Sequence, residues 1–288
     1  MSSTTATRVI LVTGSNRGIG YGIVARLARE FLPTAGKEER LKIYVGSRDQ
    51  QKGEDAIKSL QSELGKTLQA NNTSLQTCQL DMSDVESRKN AIAYIVERDG
   101  GLHTVIQNAG VALDGFDAEV VRKTFETNFH NVVAFNNELL PILQENARIV
   151  ILASMAGSLQ GYSDEIIRRF RAASTTKEVE TLADEYYKAV QKGDYKDKGW
   201  KGAAYGCSKA CIIAYTRAFS NELRKSDDAR LRSITINSCC PGYVNTGMTK
   251  GKGVLTLDQG AATPVMLALQ DLNGRSGGYF KDEKEQNW

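Results

Sequence analysis

Arg8-Val9-Ile10-Leu11-Val12-Thr13-Gly14-Ser15-Asn16-Arg17-Gly18-Ile19-Gly20 is the stretch on which the fold turns. Its first six residues make a β-branched, apolar run without polar alternation, the pattern of a strand covered on both faces. Ile19, Ile23, Val24 and Leu27 then recur at helical spacing, so the glycines occupy a strand-to-helix turn. An ordinary turn of this kind seldom needs three glycines, whereas a backbone that must approach a pyrophosphate at a helix N-terminus does. The reading is a dinucleotide-binding loop built from Gly14, Ser15, Asn16, Arg17, Gly18, Ile19 and Gly20.

Working outward, the same alternation repeats. Leu41 to Gly46 reads as a second strand ending at Ser47-Arg48-Asp49, followed by a helix from Asp49 to Leu64. The end of this strand is where such folds read the adenosine ribose, with an acid for a free 2′-hydroxyl or a basic group for a 2′-phosphate. Arg48 stands there and Arg17 lies in the glycine loop, which favours NADP(H), although Asp49 would serve the ribose if the register moved by one. Leu75 to Leu80 reads as a third strand, leading to Asp81 and Met82 beside the adenine, with Ser83 or Asp84 capping a helix through Ile95. Thr104 to Gln107 runs into Asn108-Ala109-Gly110, a long helix spans Asn128 to Leu140, Arg148 to Ala153 ends at Ser154, and Ser233 to Ser238 is the sixth strand. Strands alternating with helices predict an α/β, doubly wound parallel sheet of Rossmann type, its ligand groups at the carboxyl ends of the strands.

Composition narrows the class. The chain has 288 residues, 41% hydrophobic and 25% charged, with 37 Lys+Arg interleaved among 34 Asp+Glu. No basic stripe marks a nucleic acid partner. The segment Met1 to Arg8 is short and polar, and no apolar run nears the roughly 20 residues that span a bilayer, so no membrane partner is expected. The five cysteines show no metal-ligand spacing and no secreted-scaffold density, which fits a reducing, cytoplasmic address. No metal set is present.

A second chemical signal lies in Ala203-Ala204-Tyr205-Gly206-Cys207-Ser208-Lys209-Ala210. Tyr205 and Lys209 are four apart and share a helix face. Lowering a phenol by about three pKa units takes about 4 kcal/mol, roughly what a unit charge at about 4 Å supplies at an effective dielectric near 20. By itself this spacing also occurs on ordinary solvated helices.

With Asn108-Ala109-Gly110, Asn128, Ser154, Tyr205 with Lys209, and Pro241-Gly242-Tyr243-Val244-Asn245-Thr246 following the glycine loop in order, the chain resembles the short-chain dehydrogenase/reductase family. The stretch Asn237 to Val244, the run Ala261 to Val265 and Trp288 resemble, within it, the monomeric NADPH-dependent carbonyl reductases and the related plant menthone and isopiperitenone reductases. The resemblance implies that Tyr205 protonates the forming alkoxide, and that Lys209 lowers its pKa and holds the nicotinamide ribose. It implies that Ser154 orients the carbonyl and that Asn128 holds a water in the proton path. Asn108, Ala109, Gly110, Pro241, Gly242, Val244 and Thr246 would line the cofactor site, Asn108 bonding strand backbone or ribose. The implied activity is NADPH-dependent reduction of a small ketone, aldehyde or quinone. An oxidative alcohol dehydrogenase, and a catalytically silent NADPH sensor, are the alternatives.

Residues 1–288 read as one catalytic domain, within which 159–202 is a helical insertion: fifty residues separate Ser154 from Tyr205, more than the family usually places there. Ser163 starts one helix, and Thr176 caps a second that keeps helical spacing to Gly193. By resemblance the insertion covers a surface used elsewhere for oligomerisation, giving a monomer; a lid over the site is the rival, since Tyr162 and Trp200 bracket it. Met155, Ala156, Gly157, Trp200, Tyr243 and Met248 suggest an apolar, partly aromatic substrate pocket. Thr246 to Leu257, rich in glycine, reads as a mobile substrate loop. Cys239 reads as packing, and Cys240 as a thiol at the pocket edge.

Overall fold

In the computed structural model, which describes residues 6–33 and 39–288, the opening run becomes strand β1 (Ala6–Val12) and the glycines lead into helix α1 (Gly18–Glu30). Of the polar N-terminal segment, residues 1–5 lie outside the described residues. The alternation continues through β2 (Glu39–Ser47), α2 (Gln50–Ala70), β3 (Thr73–Gln79), α3 (Val85–Asp99) and β4 (Leu102–Gln107). Then follow α4 (Ala118–Phe125), a π-helical turn Glu126–His130, α5 (Asn131–Leu139), β5 (Leu143–Leu152), α6 (Asp164–Ala172), α7 (Thr176–Lys192) and α8 (Ala204–Arg224). The last elements are α9 (Ala229–Ser233), β6 (Thr235–Cys240), α10 (Leu257–Leu269), β7 (Tyr279–Lys281) and β8 (Lys284–Glu285).

The described strands form one sheet in the order β3-β2-β1-β4-β5-β6-β7-β8, parallel except for β8 against β7. The direction of winding reverses between β1 and β4, which opens a crevice at their carboxyl ends. Both faces of the sheet are covered. Val9 and Leu11 join a core with α3 to α8, while Ile10 and Val12 join a second core with α1, α2 and α10. Ile149 and Ile151 divide from Val150 and Leu152 in the same way. Two apolar faces on each strand explain why these runs show no alternation. No described helix is long and apolar enough to cross a membrane.

Several boundaries differ from the sequence reading, each for a local reason. Helix α2 continues past Leu64 to Ala70 because Gly65 faces open space and Leu68 is buried. Of the two cap candidates Asp84 caps α3, accepting the Glu86 N–H at 3.0 Å, and the helix runs past Ile95 to Asp99, where Gly100 ends it at φ 71°. The long helix expected through Asn128 to Leu140 is present and begins earlier, at Ala118, with a π-turn at Glu126–His130 that contains Asn128. Thr175, not Thr176, caps α7, in a capping box with Glu178. Thr176 instead donates its N–H and hydroxyl to Glu222 of α8 at 2.8 and 2.6 Å, tying the excursion between Ser154 and Tyr205 to α8.

Helix α7 buries Val179, Leu182, Ala183, Tyr186 and Ala189 against α4 and α8. Trp200 is 4% exposed and packs its ring among Tyr162, Phe170 and Tyr186. It belongs to the core of this excursion and not to a substrate pocket, a correction that follows from three aromatic partners enclosing it.

Candidate active site

The glycine loop is held from beneath. Thr13 Oγ1 accepts the N–H groups of Asn108 and Ala109 at 3.1 and 3.0 Å, and the Asn108 amide donates to the carbonyls of Thr13 and Gly14, both at 3.0 Å. Asn108 therefore spends its donors on the loop. Ser15 does likewise, its hydroxyl on Val12 O at 2.8 Å and its N–H on Gly46 O at 2.9 Å. A Cβ at Gly20 would stand 2.6 Å from Asn108 Nδ2, Gly14 O and Ser15 Cα, so only glycine lets the chain fold back this closely. Helix α2 has its first-turn N–H on the Asp49 carboxylate, but α1 begins at Arg17 with no side-chain cap. An anion is the acceptor that such an end takes.

Asp49 Oδ1 thus caps α2, and Arg48 is the basic residue just past the end of β2. Arg48 is exposed at the end of β2 and lies close enough to Asp81 to help hold its carboxyl below the usual value, after the larger effect of the Ser83 hydroxyl. Asp81 Oδ1 accepts the Ser83 N–H and hydroxyl at 2.9 and 2.7 Å. Met82 is buried, with its carbonyl on Arg88 at 2.8 Å.

On the far side of the crevice the four polar residues singled out in the sequence come together. Asn128 Oδ1 accepts the Val111 N–H at 2.8 Å, and its amide donates to Val111 O at 2.9 Å and Ser208 Oγ at 3.2 Å. Ser208 donates in turn to Tyr205 O at 2.8 Å. Both Asn128 amide hydrogens are therefore used in fastening the loop after β4 to the start of α8. Ser208 is a site residue that sequence reading missed, although its position three after Tyr205 permits this i to i−3 bond.

Lys209 is buried, and its ammonium donates to Leu152 O at 2.7 Å. Burial pulls its pKa down to about 8. Burial also raises the Tyr205 phenol, and the nearby Ser154 hydroxyl pulls it partly back. The expectation that Lys209 lowers the phenol is not met by the protein alone. Its Nζ lies 5.7 Å from the Tyr205 ring centroid, and burial is the largest influence on both groups.

Ser154 caps a 3₁₀ turn, Met155–Gly157, by accepting the Ala156 N–H at 3.1 Å. Gly157 packs onto α8, where a Cβ would meet the Lys209 and Ala210 backbone at 2.8 to 3.0 Å. It is floor, not pocket wall. Cys240 is 2% exposed, its sulfur accepting the Met155 and Gly242 N–H groups at 3.3 Å each, so it does not stand open at the pocket edge. Cys239 is buried in the second core.

The segment after β6 turns over the crevice. Pro241 and Gly242 begin it, Val244 is buried against Gly260, and Thr246 comes within 3.8 Å of the Cβ position at Gly18. Asn245 N–H and Leu255 N–H bind across its two legs, to Leu255 O and Tyr243 O, and Lys250 reaches Asp114 at 3.0 Å. This segment and the one after Gly110 are thereby joined across the mouth. Gly110 itself would place a Cβ 3.2 Å from Asn128 Oδ1.

The short chain dehydrogenase family model matches residues 8–165 and 193–253, leaving 166–192, most of α6 and all of α7, unmatched. NADPH carbonyl reductase 1 from Rattus norvegicus is 32% identical over 292 residues, covering 97% of this chain and 98% of that protein. Among solved structures, salutaridine reductase from Papaver somniferum superimposes with a TM-score of 0.75 at 26% identity, covering 96% of this chain and 99% of that one. Menthone neomenthol reductase from Mentha piperita shares the fold with the same TM-score at 24% identity, over 96% and 98%. With the family pattern matched over most of its length and a full-length relative at this identity, the chain belongs to the short-chain dehydrogenase family.

Proposed function

We propose that this protein reduces the carbonyl of small apolar ketones, aldehydes or quinones with NADPH. The observation that supports the reading is that Ser154, just past the end of β5, lies beside Tyr205 and Lys209 at the start of α8, while the uncapped N-terminus of α1 with exposed Arg17, and exposed Arg48 just past β2, lie at the carboxyl ends of strands of the same sheet. The uncapped helix end takes the pyrophosphate. Arg17 and Arg48 take a 2′-phosphate, and Lys209 takes the nicotinamide ribose. NADPH, when bound, supplies the hydride. Tyr205 delivers its phenolic proton to the oxygen as the alkoxide develops, and the Ser154 hydroxyl holds that oxygen beforehand. Asn128 and Ser208 fix the start of α8 so that the phenol stays in place. A phenol raised by burial keeps its proton at neutral pH, which suits an acid in reduction and hinders a base in oxidation.

Leu113, Met155, Tyr243, Met248 and Val254 remain 41 to 82% exposed on the segments that follow β4, β5 and β6. Apolar side chains at the mouth of a polar site favour apolar substrates. The test is NADPH oxidation with a panel of aromatic ketones and quinones, run beside NADH. Turnover with NADPH is expected, and absence of turnover across the panel would sink the reading. Arg48→Glu is expected to cut the preference for NADPH over NADH by about 10- to 100-fold, the range for one charge-assisted contact. An unchanged preference would remove Arg48 from the phosphate site.

We further propose that 159–202 is an insertion in a single catalytic domain, and that its helix α7, seated on α4 and α8, blocks oligomerisation through that face. Light scattering after gel filtration is expected to report a monomer, and a dimer or tetramer would refute this. Five free, buried cysteines support a cytoplasmic, reducing address.

A further inference from the structure

The turn that carries Ser154 is held on its inner side by α8, and its outer side is closed by Trp288. The indole N–H donates to Gly157 O at 2.8 Å. Its ring meets Phe170 of α6 edge-on, with centroids 6.1 Å apart, and Arg217 of α8 lies over it at 5.8 Å. The β7–β8 hairpin brings it there, with Gln286 N–H fixed to Tyr279 O at 2.8 Å. One side chain thus touches the catalytic turn, the α6–α7 excursion and the catalytic helix.

The orientation of Ser154 depends on that turn. Its oxygen accepts the Ala156 N–H, so the direction left for its own proton follows the Met155–Gly157 backbone. Gly157 N–H is bonded to Ser154 O at 2.9 Å and Ser158 N–H to Met155 O at 3.1 Å, which makes the turn move as a unit. Its outward carbonyl, at Gly157, is the one Trp288 holds.

We propose that Trp288 is a positioning residue for Ser154, acting through its N–H on Gly157 to keep the serine hydroxyl directed at the carbonyl oxygen. This rests on the carbonyl-reductase reading of the site. Trp288→Phe keeps an aromatic body between Phe170 and Arg217 and removes the donor. Loss of this one hydrogen bond is expected to lower kcat about fivefold, with the KM for NADPH unchanged. In a Ser154→Ala background the same change is expected to cost nothing more, because the group it positions is gone. Amide exchange across residues 154–160 is expected to quicken in the Phe variant while α1 and α2 keep their protection.

A kcat loss that adds in full to that of Ser154→Ala, or unchanged kcat and unchanged exchange, would overturn the proposal. If the wild-type protein reduces no carbonyl, the functional reading fails and the exchange measurement alone decides whether Trp288 holds the turn. Should the Phe variant not fold, Trp288→His, which keeps a ring N–H donor, is expected to retain protection of 154–160 where Trp288→Leu loses it. Equal exchange in both would refute the role of the donor.

Discussion

Tyr205→Phe is expected to lower kcat for carbonyl reduction about 10³-fold, within the range for loss of a positioned general acid, while NADPH binding stays nearly unchanged. The substitution removes one oxygen and keeps the ring, so the packing at the head of α8 survives. The Ser208 bond to Tyr205 runs through the backbone carbonyl and survives as well. Ser154 and Asn128 therefore remain in place in the variant, and the loss reads the proton donor alone. Ser154→Ala should cost less, about 10²-fold, and the double variant should fall little below Tyr205→Phe because both act on one oxygen. Single-turnover mixing of the variant with NADPH and an aromatic ketone checks the chemical step. Turnover within tenfold of wild type would refute Tyr205 as the acid.

The pH dependence separates Tyr205 from Lys209. Burial holds the phenol above its ordinary 10.0, so it stays protonated through the neutral range. Burial brings Lys209 to about 8. In kcat/KM, which reports the free enzyme, activity is then expected to be flat below about pH 7 and to fall through pH 8 as Lys209 loses its charge.

How much of this could be read beforehand follows from the range of the forces involved. The opening strand, the glycine loop and the α/β alternation are written in local patterns, because residues facing two apolar layers must be apolar in sequence order. The rim residues were visible as types, since Tyr205 and Lys209 are four apart on one helix. What they do to each other was not. Whether an ammonium lowers a phenol depends on distance and burial, and here burial is the largest influence on each group. Trp200 looked like a pocket residue from its closeness in sequence to Tyr205, but three rings from separate elements enclose it. Asp49, an alternative ribose ligand by sequence, gives Oδ1 to the cap of α2, a bond that its sequence position alone does not specify. The link from Trp288 to Gly157 spans 131 residues and leaves no local pattern at either end.

Lys209→Met carries the opposite signs for activity and stability. The folded protein holds the Lys209 ammonium at about 8 against an ordinary 10.5, so below pH 8 it bears a buried charge that the unfolded chain keeps in water. A displacement of that size is worth about 3 kcal/mol, present in full at neutral pH. Between pH 8 and 10.5 the unfolded chain binds the extra proton, so the wild-type protein gains stability as pH rises there, and the penalty is gone above 10.5. Methionine fills a similar volume without charge but leaves Leu152 O without its donor, which returns about 1 to 2 kcal/mol. The net expectation for the cofactor-free variant at pH 7 is a gain of roughly 1 to 2 kcal/mol, or about 2 to 3 °C in Tm. By pH 9.5 the gap between variant and wild type should have narrowed. Added NADPH should raise the wild-type Tm more than that of the variant, since only the wild type has an ammonium for the ribose. Carbonyl turnover should drop at least about 10²-fold. Thermal denaturation at both pH values, with and without NADPH, checks the set. A variant less stable than wild type at pH 7 would mean that the burial of this charge is compensated within the protein itself. The low pKa would then have to be set aside as the cause of the alkaline fall in activity.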